Sequence, residues 1–141
     1  HRRADLRLAN LLVDGIRQAL AISQATKIYV CNVATQHGET DGFSVSDHFE
    51  TLIRHIGPGL FDFVLANDNV KGPLPEAWQS NPVTVDRPWV DGARVYTADV
   101  VSETNRYHHD PTKLAAAIMR IYSGRHQLES QERLVAERAG G

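Results

Sequence analysis

The segment TQHGETDGFSVSDHF, residues 35–49, mixes acids, histidines, hydroxyls and glycines between two apolar stretches. Such a mixture suits a hinge, a metal site, a catalytic loop or a ligand cradle. For a metal, His37, Glu39, Asp41 and His48 fall within twelve residues. No H-x-x-x-H or H-E-x-x-H helical pair is present, and the order matches no zinc pattern. Magnesium held through ligand phosphates needs only one or two carboxylates, and Asp41 or Asp47 would suffice. For nucleophilic chemistry the signals are weaker. Cys31 lies among apolar residues, where a thiol is core rather than reactive. Ser44 and Ser46 read most simply as helix-capping groups, and no G-x-S-x-G elbow occurs. The usual phosphate loops, G-x-x-x-x-G-K-[ST] and G-x-G-x-x-G, are absent from the sequence. A second cluster, RYHHD at 106–110, offers Arg106, His108 and His109 to a phosphate or carboxylate. Surface histidines account for it as simply, and Asp110 is explained as a helix cap.

These residues need elements to position them. Residues 14–22 read as a helix, with Ile16, Ala19 and Leu20 at helical spacing. Leu6 to Val13 either extends that helix or is an extended lead-in. Lys27–Val33 is a short run rich in β-branched and aromatic residues, expected as a strand buried on both faces. Val45, Phe49, Leu52, Ile53 and Ile56 then form one continuous helical stripe. Ser44 with Asp47 makes a capping pair, and Gly57-Pro58 stops the helix. Phe61–Asn67 is a second buried strand, so Lys27–Asn67 reads as a strand–helix–strand unit with a parallel pair.

Residues 68–82 read as a long connection. Val83–Val85 and Arg94–Ala98 are expected as short strands, with a turn near Asp91-Gly92. Asp110 and Pro111 open a last helix. Its stripe is Leu114, Ala117, Ile118, Ile121 and Tyr122, and Gly124 is expected to end it. Residues 125–141 are mostly polar and read as a polar tail or an extra, frayed helix, set apart from a domain at 1–124.

The fold class that follows is α/β, Rossmann-like, with a mostly parallel sheet, incomplete in this chain. In such sheets ligands bind beyond the carboxyl ends of the strands. Residues 34–44 lie there after the first strand, and Asn67, Asp68 and Asn69 after the second. The amino-terminus of helix 45–56 points the same way, with amides suited to a phosphate. On position and composition alone, a ligand cradle and an ordinary loop-and-cap stretch both account for residues 35–49.

Composition bounds the rest. The chain has 141 residues, 42% hydrophobic, with a net charge of −2 and one cysteine. That is one domain's worth with enough apolar content for a core. A near-neutral chain without a basic block gives little support for a nucleic-acid or membrane surface. The single cysteine fits a reducing, cytoplasmic setting. The first residue is His1, and the opening HRRADLRLA precedes any cap or strand, so a piece of a longer protein is expected.

The runs NLLVDGIRQAL, KIYVCNVATQHGETDGFSVSDHFETLI, FDFVLAN and HHDPTKLAAAIM resemble the gluconeogenesis-factor family, the YvcK-type proteins of the CofD-like superfamily. The family carries a close variant of N-x-x-T-Q-x-G-E-T-D-G-[FY]-[ST]-V-S-D-H after a strand. Asn32, Thr35, Gln36, Gly38, Glu39, Thr40, Asp41, Gly42, Phe43, Val45, Ser46, Asp47 and His48 all match it. The resemblance runs from about Asn10 to Tyr122. It implies a nucleotide-sugar ligand of the UDP-N-acetylglucosamine type, and a role in bacterial carbon metabolism, cell shape and cell-wall precursor supply. It implies no settled catalysis and no established cofactor. The related CofD branch, which transfers a 2-phospholactyl group to make a coenzyme F420 precursor, is the alternative. Family proteins are roughly twice as long, with a glycine-rich nucleotide loop in an amino-terminal half that has no match here. Asp14 stands where the family has proline. His108 stands where it has arginine, unless Arg106 substitutes.

The resemblance gives the residues expected roles. Gly38, Gly42 and the amides at Ser44–Asp47 would approach the sugar or diphosphate. Thr35, Gln36, Glu39, Thr40 and Asp41 would pair with sugar hydroxyls or the N-acetyl group, and Asn67 and Asn69 would offer side-chain amides. Expected partners are the nucleotide-sugar, the amino-terminal half of the same protein and a second copy of the chain. In the last case Trp78 and Trp89 form an interface, or else they pack at the core edge.

Overall fold

The computed structural model describes residues 2–71 and 74–140, with side chains for all of these except 2–11 and 129. Gly72 and Pro73 of the long connection lie outside them. The elements in order are α1 (Arg2–Ile22), β1 (Ile28–Val30), α2 (Val45–Ile56), β2 (Phe63–Asn67), a 3₁₀ turn (Glu76–Trp78), β3 (Trp89–Val90), β4 (Ala93–Ala98) and α3 (Pro111–Ala139). The segment expected to be either helix or lead-in, Leu6–Val13, is helix throughout.

The sheet order is β1-β2-β4-β3. β1 and β4 both run parallel to β2, and only the short β3 is antiparallel. Because side chains alternate along each strand, the sheet builds two cores. Val30, Leu65, Ala98 and their neighbours face Leu114, Ala117 and Ile121 of α3. Cys31, Val64, Ala66 and Ala93 face Val45 and Phe49 of α2. The result is three layers, helix–sheet–helix, with a mostly parallel sheet in the middle.

Four local expectations are corrected. The first strand is shorter than Lys27–Val33 and its residues are half-buried, because β1 is the edge of the sheet among the described residues. Both of its faces are covered, and among the described residues no strand pairs with its outer side. Val83–Val85 is not a strand. The Val83 amide bonds the Val33 carbonyl beside an isolated antiparallel bridge between Ala34 and Pro82, and the pairing goes no further. The Thr84 carbonyl then turns to the Val45 amide. Gly124 does not end α3, which runs on to Ala139. A mid-helix glycine costs about 1 kcal/mol, and the Arg125–Asp62 ion pair at 2.7 Å ties the next residue back to the start of β2. Tyr122 is exposed rather than part of the buried stripe, and its ring lies against His126.

The Asp91-Gly92 turn forms as expected. Both residues have positive φ (48° and 76°), as a two-residue turn between twisted strands requires. No helix among the described residues is long and apolar enough to cross a membrane.

Cys31 is core. Burial, reinforced by the charge of Asp86, pushes its thiol up to about 12. Native protein at pH 8 should resist iodoacetamide at this thiol, and denatured protein should react fully. Rapid native labelling would mean that the α2 face opens.

Candidate functional site

At the carboxyl-end rim of the sheet the chain leaves β1 and crosses residues 32–43. Thr35 is buried, and its hydroxyl is engaged within the chain. Its Oγ1 accepts from the Asn81 amide at 2.9 Å and its own amide donates back to the Asn81 carbonyl at 2.8 Å. This pair clamps the segment carrying Trp78 against the polar loop. On the other side, residues 102–109 are braced by Ser102, whose Oγ accepts from the Asn105 amide and whose own amide bonds the His108 carbonyl. His109 Nε2 donates to the Cys31 carbonyl at 3.0 Å, fixing this segment to the end of β1.

Between the three segments lies an open cleft of about 480 Å³. Gln36, His37 and Glu39 form one wall; Trp78, Ser80, Asn105, Tyr107 and His108 form the others. A smaller compartment of about 200 Å³ is lined by Asn32, Val33, Ala34, Gln36, Tyr107, His108 and His109. The two share Gln36, Tyr107 and His108, so they are one trough. Among the described residues the side chains of Asn32, Gln36 and Glu39 make no hydrogen bond, and the rim of the trough is therefore lined with uncommitted polar groups.

The other expected site residues are engaged elsewhere. Thr40 Oγ1 accepts from the Gln36 amide, and Asp41 Oδ2 accepts from the Gly38 amide, both at 2.8 Å. These bonds shape the loop. Gly38 and Gly42 have positive φ (82° and 71°), and a side chain at either would meet open space. Each supplies a left-handed turn that glycine adopts at no steric cost. Asn67 uses its amide internally: Nδ2 donates to the Asn69 carbonyl, and Oδ1 accepts from the Asn69 and Val100 amides. Asn69 Nδ2 donates to Asp99. Arg106 is turned onto Asn69, donating to its carbonyl and to Oδ1 at 3.0 Å, and lines neither compartment.

The amino-terminus of α2 is likewise closed. Ser44 and Asp47 form a reciprocal capping box. The Val45 amide bonds the Thr84 carbonyl, and the Ser46 amide and hydroxyl both bond Asp86. A carboxylate of the chain itself therefore occupies the position where a phosphate was expected. His48 Nδ1 bonds the Ser44 carbonyl, its ring lies edge-on to Phe43, and its buried Nε2 has no hydrogen-bond partner among the described residues. The capping amide and hydroxyl of Ser44 hold the Asp47 carboxyl below its ordinary range. Burial raises Asp86, but the Ser46 and Ser44 donors outweigh it and hold it low.

These depressed carboxyls couple stability to pH. A carboxyl whose folded pKa is lowered stabilises the fold fully above its unfolded value of about 4 and loses that contribution as pH falls through the folded value. Asp86→Asn should cost roughly 1 kcal/mol at pH 7. The difference from the parent protein should shrink as pH falls below the unfolded value of about 4 and through the lowered folded value, as read by urea denaturation at pH 7 and in acid. A difference that persists in acid would mean that the carboxylate charge is not what caps the helix.

Asp41 and Asp47, expected to hold magnesium, both bind amides of their own loop. Among the described residues no three His, Cys, Asp or Glu side chains converge on a metal position. Sequence reasoning did not assign Trp78 or Tyr107 to the site. Their rings meet edge-to-face at 5.6 Å, a contact across the sequence that no local pattern announces.

A family profile described as "2-phospho-L-lactate transferase CofD" matches residues 8–103. The chain belongs to the CofD family. The relatives it matches include proteins named as gluconeogenesis factors. It is 41% identical over 130 residues to a putative gluconeogenesis factor of Nostoc sp., covering 84% of this chain and 28% of that protein. It is 37% identical over 120 residues to the gluconeogenesis factor of Halalkalibacterium halodurans, covering 79% and 37%. A crystal structure of a UPF0052-family protein from Bacillus halodurans superposes with a TM-score of 0.65 at 34% identity, covering 79% of this chain and 38% of that one. This CofD-family chain thus corresponds to between a quarter and two-fifths of these relatives' length. The profile ends before Tyr107 and His108, so one wall of the trough lies outside the matched residues.

Proposed function

We propose that this chain is the carboxy-terminal part of a cytoplasmic nucleotide-sugar-binding regulatory protein. It is a gluconeogenesis factor acting in carbon metabolism, cell shape and cell-wall precursor supply, with a ligand of the UDP-N-acetylglucosamine type. One observation carries the reading: the side chains of Asn32, Gln36 and Glu39 line a trough at the sheet rim with their polar groups uncommitted. The trough's volume is within the usual range for small-molecule sites, and its mixture of aromatic and polar lining suits a sugar. The amino-terminal half of the same protein, paired along the open edge of β1, would complete the nucleotide site, and a second copy of the chain is the expected further partner.

The test is calorimetry on the natural protein at full length. Saturable binding of UDP-N-acetylglucosamine is expected, and the absence of heat with every UDP-sugar tried overturns the reading. The matched family's description favours one alternative, a 2-phospho-L-lactate transferase. Turnover of an activated phospholactate donor with a deazaflavin acceptor, without UDP-sugar binding, would establish that instead.

A further inference from the structure

The two compartments of the trough differ in chemistry. The larger one carries the trough's carboxylate, Glu39, and the indole of Trp78, which is 42% exposed although its ring is braced by Tyr107. Among the described residues no acid lines the smaller one. It has Asn32, His108 and His109 over the end of β1, and the Tyr107 ring stands edge-to-face with His108 at 5.5 Å. A carboxylate repels a diphosphate but accepts well from hydroxyl groups. An exposed aromatic face suits the apolar face of a sugar ring.

Resting on the nucleotide-sugar reading above, we propose that the trough fixes the direction in which the ligand lies. The sugar ring packs on Trp78 in the larger compartment, with Gln36 and Glu39 reading its hydroxyls. The diphosphate lies in the acid-free compartment against Asn32 and His108, and the nucleoside lies beyond it. Trp78 is then a specificity residue for the sugar and His108 a residue for the diphosphate. The Thr35–Asn81 clamp, which seats the Trp78 segment against the polar loop, makes the first of these assignments geometrically stable.

The indole supplies its own reporter. Trp89, the other tryptophan, sits on β3 and lines neither compartment. In the full-length protein the indole N–H resonance of Trp78, identified by its loss in Trp78→Phe, should shift on saturation with UDP-N-acetylglucosamine and stay in place on saturation with UDP. Trp78→Ala should weaken the UDP-sugar about tenfold, the equivalent of roughly 1.4 kcal/mol, and Trp78→Phe should recover most of that loss. His108→Ala should weaken UDP and the UDP-sugar alike. If the parent protein binds the UDP-sugar but UDP alone shifts Trp78 equally, or Trp78→Ala loses both ligands equally, the direction is wrong while the nucleotide-sugar reading stands. If the parent protein binds no UDP-sugar, both fall.

Discussion

Phe49→Ala lowers the free energy of unfolding by about 3–5 kcal/mol, the range for deleting a large aromatic side chain from a packed core. Phe49 is fully buried. It stands on the inward stripe of α2, and its ring meets Tyr29 at 5.4 Å and Phe61 at 5.7 Å. It therefore joins the helix to β1 and to the segment entering β2, and the cavity left by alanine opens where all three meet. A protein's whole stability is only about 5–15 kcal/mol, so this one change removes a large share of it. Urea denaturation reads the effect as a fall in midpoint with an unchanged slope. A loss below about 1 kcal/mol would mean that α2 is not anchored through this ring.

Thr35→Val should cost about 1–3 kcal/mol, because it keeps the shape of the side chain but leaves the Asn81 amide without its acceptor. The larger consequence is functional. Oγ1 of Thr35 is one half of the clamp that seats the Trp78 segment beside the polar loop. Valine should loosen that seat and weaken UDP-N-acetylglucosamine binding, although residue 35 is buried and lines neither compartment. Thr35→Ser, which restores the acceptor, should recover most of both losses. Equal binding by the valine variant and the parent would show that the wall does not depend on the clamp.

What could be read from the sequence was local. The stripe Val45, Phe49, Leu52, Ile53 and Ile56 and the Ser44–Asp47 box both lie within a few residues of their partners, and α2 forms with the expected bounds. The order of the parallel unit, the turn at Asp91-Gly92 and the cap at Asp110 follow from the same short-range physics. What was not legible depends on contacts distant in sequence. The helix end looked open to phosphate because Asp86, forty residues on, is not visible from Ser46. Thr35 looked like a sugar contact because its real partner, Asn81, lies forty-six residues away. Arg106 looked like a free cation because the carbonyl and amide oxygen of Asn69 that it meets belong to another strand's end. Trp78 reaches the site through the Thr35–Asn81 clamp and its ring contact with Tyr107, across a connection that carries no periodic signal. Gly124 read as a stop because its cost is local, whereas the Arg125–Asp62 pair that helps to offset it is not.

The central claim is that the ligand enters the trough between residues 36–39, Trp78 and Tyr107–His108, and not the amino-terminus of α2. Amide chemical shifts of the full-length protein, followed during titration with UDP-N-acetylglucosamine, test it most directly. Saturable shifts are predicted at Gln36–Glu39, Trp78–Ser80 and Asn105–His108, with Val45–His48 nearly unmoved. Shifts concentrated at Val45–His48, or no saturable shift anywhere, would contradict it.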